Sequence, residues 1–301
     1  MNDKTDEELI MAWLQLIIPT NDTDADQLSD ALMEQGAVSV TLQDMQDQPM
    51  LEPAIGTTPM WSQTRAIGLF DANQDLKHVI KNIEQQLRKK IPDWKGEQLE
   101  DKDWVRAWMD NFKPMQFGEK LWVVPSNFEP PQADATNILL DPGLAFGTGT
   151  HPTTSICLKW LDANPPKDKE IIDFGCGSGI LAIGALLLGA KHAEAIDLDP
   201  QALLATIDNA EKNNVSHNIK TYLPKEFPQK KTPLLLANIL ASPLIELAPY
   251  FADLTETSGQ IVLSGILAEQ AENVLAAYKE NFNIKIWKQE GDWICLAGVR
   301  K

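Results

Sequence analysis

Residues 170–179, EIIDFGCGSG, constrain the fold more than any other stretch of the chain. The β-branched pair Ile171 and Ile172 leads to Asp173 at the end of an apolar strand. Gly175, Gly177 and Gly179 then alternate before a helical run that starts at Ile180. Glycine supplies positive φ and lets backbone approach a ligand closely, while a helix start presents unpaired N–H groups. A dinucleotide fingerprint needs glycine at the sixth position counted from Gly175, where Ile180 stands, so the spacing here is GxGxG instead. Strand, glycine turn and helix in this order predict a βα unit of a parallel sheet, with Gly175 and Gly177 close to the ligand.

The next strand candidate ends in AIDLDP, and its Asp197 stands 22 positions after Gly175, the spacing at which an acid accepts ribose hydroxyls. Farther on, the apolar run 234–237 stops at Asn238. Alone, such an asparagine reads as a cap or a turn. Beside a glycine loop and a ribose acid it reads as a site residue, because an amide oxygen can hold an amine by its N–H and leave the lone pair to attack. Residues 141–154, DPGLAFGTGTHPTT, are dense in turn formers and are expected to cover the ligand. Within that segment His151 reads either as a base or, more simply, as a structural hydrogen-bonding residue next to Pro152.

A length of 301 residues favours two domains. In the second half, strand candidates 170–174, 193–196, 219–223, 234–237 and 261–264 alternate with helices, which predicts a doubly wound, Rossmann-like parallel sheet. After a helix over 268–281, the segments 284–288 and 294–299 predict an antiparallel β-hairpin at the sheet edge. The first half gives strands at 11–18, 37–42, 61–70 and 94–99. Its helices fall at 26–33, with Asp24 or Asp26 as caps, and at 78–87. That order is βαββαβ, the ferredoxin-like arrangement. Residues 101–130, punctuated by Pro114, Pro125 and Pro130 and followed by Pro131, read as a linker whose Trp104 and Trp108 pack between domains. The expected division is therefore 1–100, 101–130 and 131–301.

Charge narrows the partners. The chain carries a net charge of −17, and residues 1–50 hold eleven acidic side chains against one basic one, Lys4. Such a field repels phosphate backbones, so direct binding of nucleic acid is not expected. It suits a basic partner, or simply solubility. No apolar run approaches the roughly 18 residues of a membrane span, so no membrane association is expected. The start MNDKTDEELI lacks the basic and apolar regions of a signal peptide, and the expected compartment is the cytoplasm. Cys157, Cys176 and Cys295 are odd in number and form no CxxC pair, which argues against a disulfide framework and against a metal site.

At these residues the chain resembles a known family. IIDFGCGSG, AIDLDP and NIL are similar to motif I, the acid after the second strand and the motif IV asparagine of class I S-adenosylmethionine-dependent methyltransferases. DPGLAFGTGTHPTT and EDKDWVRAWMDNFKPMQFGEKLWVVPS, with the preceding βαββαβ pattern, resemble the PrmA-type family that methylates large-subunit ribosomal protein eleven, over essentially the whole chain. The departures are about nine extra acidic residues at the start and a shortened segment near residues 226–232. The resemblance implies S-adenosyl-L-methionine as cofactor, with contacts at Thr154, Gly175, Asp197 and Asn238. It also implies methyl transfer to the α-amine and lysine ε-amines of that ribosomal protein, held by the amino-terminal domain. Asn238 is the expected catalytic residue, and the chain is expected to act as a monomer. A nucleic-acid amine methyltransferase would share Asn238 but calls for a basic face and an aromatic residue soon after it, where Ile239, Leu240 and Ala241 stand. A nicotinamide oxidoreductase would share the glycine loop and the ribose acid, but neither Ile180 nor the terminal hairpin.

Overall fold

The computed structural model describes residues 13–46, 60–99, 112–132, 134–141 and 149–301. Two units emerge, residues 1–107 and residues 108–301. The first contains β1 (Trp13–Thr20), α1 (Ala25–Glu34), β2 (Ser39–Asp44), β3 (Thr64–Asp71), α2 (Leu76–Leu87) and β4 (Lys95–Leu99). Its sheet runs β2-β3-β1-β4 with every pairing antiparallel. Alternation along β3 buries Thr64, Ala66, Gly68 and Phe70, and the period of two sends them to one face. There Ala66 and Phe70 meet Leu28, Ala31 and Leu32 of α1 and Val79, Ile80 and Ile83 of α2.

Local capping explains where these helices begin. The Asp75 carboxylate accepts from the backbone N–H of Lys77 and His78 at 3.0 and 3.2 Å, which fixes the start of α2. At α1 the expected caps do not act. Asp24 occupies the N-cap position without a side-chain cap bond, and the Asn21 carbonyl oxygen accepts from the N–H of Thr23 and Asp24 instead. Asparagine two residues before a turn does this readily, because its short side chain mimics a backbone carbonyl.

The second unit begins with strands where a linker was expected. Residues 101–111 lie outside the described residues, as do Trp104 and Trp108, but β5 (Met115–Phe117) and β6 (Leu121–Val124) fall within 101–130 and form a sheet with β7 (Thr136–Leu139). The proline spacing suggested irregular chain, yet Phe117, Leu121 and Val123 are buried in the same cluster as Ile138 and Leu158, and that burial makes strands of them.

The remaining elements are α3 (Pro152–Ala163), β8 (Glu170–Phe174), α4 (Ile180–Leu187), β9 (His192–Ile196), α5 (Pro200–Lys212), β10 (Ile219–Tyr222), β11 (Thr232–Asn238), α6 (Ala241–Glu246), α7 (Ala248–Leu254), β12 (Thr255–Leu267), α8 (Ala271–Tyr278), β13 (Phe282–Glu290) and β14 (Trp293–Arg300). A short 3-10 turn at residues 268–270 precedes α8, so the helix expected over 268–281 is shorter than its pattern. The seven-stranded order is β10-β9-β8-β11-β12-β14-β13. The pairs from β10 to β12 are parallel, and β14 is antiparallel to both β12 and β13, as the expected terminal hairpin requires. Strands covered on both faces read as continuous apolar runs. Accordingly Ile171, Leu234 and Leu236 pack on one side of the sheet while Ile172, Leu235 and Ala237 pack on the other. Among the described residues no helix is long and apolar enough to cross a membrane, and the three cysteines are buried and free.

Candidate functional site

The sheet order reverses direction at β8, whose neighbours are β9 and β11, and a crevice at the carboxyl ends of strands belongs at such a switch point. A cavity of about 310 Å³ opens there. The segments following β8 and β9 line it with Gly175, Gly177 and Asp197, the end of β11 adds Asn238, and the first turn of α3 adds Thr154. All five residues expected at the site therefore share one cavity. Phe174, Ile180, Leu181, Leu198, Ile239, Pro243 and Leu247 supply an otherwise apolar lining.

Each polar group is placed by a local device. Gly175 has φ of 78°, and a β-carbon on it would overlap Cγ2 of Ile239, so glycine alone lets the loop lie against the segment after β11. The loop is braced from α5. The Thr206 hydroxyl donates to the Gly177 carbonyl at 3.1 Å, and the Asn209 amide donates to the Ser178 carbonyl at 2.9 Å. Sequence reading missed both braces. Their signal was a pair of polar residues three apart on a helix face that is otherwise buried, since Ala202, Thr206, Asn209 and Ala210 are all inaccessible.

Asp197 is oriented by backbone N–H groups. Its Oδ2 accepts the Gly177 N–H at 2.9 Å and its Oδ1 accepts the Asp199 N–H at 3.0 Å, and each oxygen keeps a lone pair for a further donor. Asp199 is committed elsewhere, because its carboxylate accepts the Gln201 N–H at 2.9 Å and caps α5, with Pro200 at the first helical position.

Asn238 and Thr154 meet across the crevice. The Asn238 Nδ2 donates to the Thr154 hydroxyl at 3.2 Å, and no hydrogen bond among the described residues engages the amide oxygen. The turn that carries Thr154 is itself anchored, since the buried Ser264 hydroxyl on β12 donates to the Thr153 carbonyl at 3.2 Å. His151 serves as the N-cap of α3. Its Nδ1 lies 2.8 Å from the Thr153 hydroxyl and accepts the Thr153 N–H at 3.4 Å, and its ring meets Trp293 edge-on at 4.9 Å. Burial pushes its pKa below the usual histidine value, which favours the neutral ring that capping needs. The proposed cover falls largely on residues 142–148, which lie outside the described residues.

The donor set fits a nucleoside whose ribose meets a carboxylate and whose flat base meets apolar side chains. Among the described residues no cluster of His, Cys, Asp or Glu side chains could hold a metal ion.

Comparison with known proteins gives one consistent answer. The sequence model of the family described as ribosomal protein L11 methyltransferase (PrmA) matches residues 12–301. Proteins named ribosomal protein L11 methyltransferase from Marinobacter nauticus and Citrobacter koseri are 52% and 54% identical to the chain. The aligned segments cover 97% of this chain in both cases, and 99% and 100% of those proteins. A crystal structure of a ribosomal protein L11 methylase from Lactobacillus delbrueckii subsp. bulgaricus superimposes with a TM-score of 0.57 at 34% identity, covering 63% of this chain and 100% of that one.

Proposed function

The chain belongs to the ribosomal protein L11 methyltransferase (PrmA) family, and from that premise we propose that it transfers methyl groups from S-adenosyl-L-methionine to the α-amine and lysine ε-amines of ribosomal protein L11. The reading is carried by one observation: Gly175, Gly177, Asp197, Asn238 and Thr154 converge on a single cavity at the switch point of the sheet. The cofactor supplies a sulfonium methyl group that is electrophilic without further activation. What remains for the chain is to bind the donor, align an amine with the methyl carbon and keep that amine neutral.

Asp197 holds the ribose hydroxyls, the apolar lining holds the base, and the open backbone at Gly175 and Gly177 lets the donor approach the loop. Thr154 tethers the amide nitrogen of Asn238, so the amide oxygen is the acceptor left for a substrate N–H. An acceptor there orients the amine without consuming the lone pair that attacks carbon. Deprotonation at pH 7 costs about 4.6 kcal/mol for a lysine and about 1.1 kcal/mol for an α-amine. Removing the lysine from water into the crevice lowers its cost.

The first unit, which we read as ferredoxin-like from its βαββαβ order and its β2-β3-β1-β4 sheet, presents the protein substrate to the crevice. The amino-terminal acidic excess supports that role, because it favours a basic partner. We take the enzyme to act as a cytoplasmic monomer on protein rather than on nucleic acid.

Methyl-labelled cofactor incubated with the enzyme and purified ribosomal protein L11 tests the reaction directly, and label on the α-amine and on lysines is expected. Asn238→Ala should lower turnover about 30- to 1000-fold, equivalent to roughly 2–4 kcal/mol of transition-state stabilisation, with a smaller effect on cofactor affinity. Asn238→Asp keeps an acceptor but favours the protonated amine, so its rate should still rise at pH values where the parent has levelled off. Parent-like rates and pH profiles in both variants would remove Asn238 from the mechanism.

A further inference from the structure

Asp173 closes β8 but does not line the cavity. Its carboxylate is fully buried between two segments that do line it, Phe174 to Gly177 on one side and Ile180 and Leu181 of α4 on the other. Oδ2 accepts the Ala182 N–H at 3.0 Å, in the first turn of α4. Oδ1 is equally buried and has no hydrogen-bond partner among the described residues.

Among the described residues, the surroundings offer this carboxylate no counter-charge. Asp197 faces it from the segment after β9 and repels it, the Cys176 thiol in the glycine loop is buried and held protonated, and the first turn of α4 contributes a backbone N–H. On the β11 side its neighbour in register is Leu236. Burial and the Asp197 charge together push the Asp173 pKa up to about 7. A buried carboxylate oxygen without a partner is costly to the fold. The same carboxylate takes one N–H of the helix start, that of Ala182.

We propose that Asp173 makes the crevice prefer the cationic sulfonium donor over the neutral thioether product, its buried and half-unsatisfied carboxylate lying behind the glycine loop as the charge that the sulfonium balances. The inference rests on the assignment of the crevice to S-adenosylmethionine. In methyl transfer the S–C bond breaks with its electron pair remaining on sulfur, the N–C bond forms, and the positive charge passes to the amine nitrogen, which later loses a proton. The product has lost the sulfonium charge, and with it the balance that charge gave the carboxylate. Donor binding should ionise Asp173 near pH 7 and release a proton, whereas product binding should not.

Titration calorimetry of the full chain at pH 7, in buffers of different ionisation enthalpy, reads this directly with S-adenosylmethionine and S-adenosylhomocysteine as probes. The parent should release more protons with the sulfonium than with the thioether. Both ligands carry the same amino acid group, so its titration cancels in the comparison. Asp173→Asn should abolish the difference and lower the donor-to-product affinity ratio about a hundredfold, the scale of a charge pair about 6 Å apart at an effective dielectric constant near 20. Equal proton release in the parent overturns the proposal, as does an unchanged ratio in a variant that binds both ligands. If the variant does not fold, the parent comparison decides alone. Binding of neither ligand to the parent would instead overturn the assignment of the crevice, and the proposal with it.

Discussion

The amide nitrogen of Asn238 donates to the hydroxyl of Thr154 at 3.2 Å, although 84 positions separate the two residues in the chain. One lies at the end of β11 and the other in the first turn of α3. The bond holds the nitrogen end of the amide, and no hydrogen bond among the described residues engages its oxygen. Thr154 thereby acts through Asn238 as well as lining the cavity itself.

Thr154→Val should therefore keep the fold, because the shape is conserved, while losing the acceptor for Asn238. One neutral hydrogen bond is worth about 1–1.5 kcal/mol, so turnover should fall roughly tenfold, and Thr154→Ser should restore most of it. Steady-state methyl transfer with saturating protein substrate checks this. A valine variant at the parent rate would show that the amide needs no tether.

Asp197→Ala should weaken S-adenosylmethionine binding by about 1.5–3 kcal/mol, since hydrogen bonds to a charged acceptor are lost. Part of the loss comes through the loop, because the same carboxylate holds the Gly177 N–H. Calorimetry with an intact-fold control decides it. Unchanged affinity would place the ribose elsewhere, and Asp199 is no ready substitute, being committed to the cap of α5.

Gly175→Ala puts a methyl group onto Ile239 at a positive φ. The left-handed backbone costs an ordinary residue about 1–2 kcal/mol, and displacement of Ile239 deforms the cavity wall. Cofactor affinity should fall more than stability. In the double variant Gly175→Ala/Ile239→Ala the overlap is relieved but the backbone strain is not, so affinity should recover only in part. Full recovery, or no loss in the single variant, would contradict the geometry.

Asp173 should make the protein less stable as pH rises from about 4 to about 7. In the unfolded chain its carboxyl ionises near 3.8, whereas burial keeps it protonated in the fold up to about 7. Between those values the folded state binds the extra proton, so stability declines with pH, by up to about 4 kcal/mol in all. Asp173→Asn should lack this decline. Melting temperatures of variant and parent, taken from pH 5 to pH 8, should diverge in the variant's favour, and parallel curves would show that Asp173 ionises normally.

Much of this was legible in the chain because it is written in short-range terms. The strand of Ile171 and Ile172, the glycines with positive φ after it, the acid at the end of β9 and the polar stop at Asn238 each depend on a few neighbouring residues. A doubly wound sheet brings the carboxyl ends of such strands together by topology alone. The terminal hairpin was equally local, two apolar runs around Gly291. Short-range terms misled where burial took over, as at residues 115–124, which became strands because Phe117, Leu121 and Val123 found a core to cover.

The sequence by itself therefore determined the fold class of the second unit, the glycine loop after β8 and the residues around the crevice. Only the tertiary structure decided how those residues are used. It gave the Thr154 hydroxyl to Asn238, the Asp197 oxygens to Gly177 and Asp199, and the braces at Thr206 and Asn209 to the glycine loop. It also left one oxygen of Asp173 buried and without a hydrogen-bond partner among the described residues. The reason is that a hydrogen bond requires two groups to meet within about 3 Å, and burial depends on everything packed around a group, whereas sequence spacing constrains distance only over a turn or a strand.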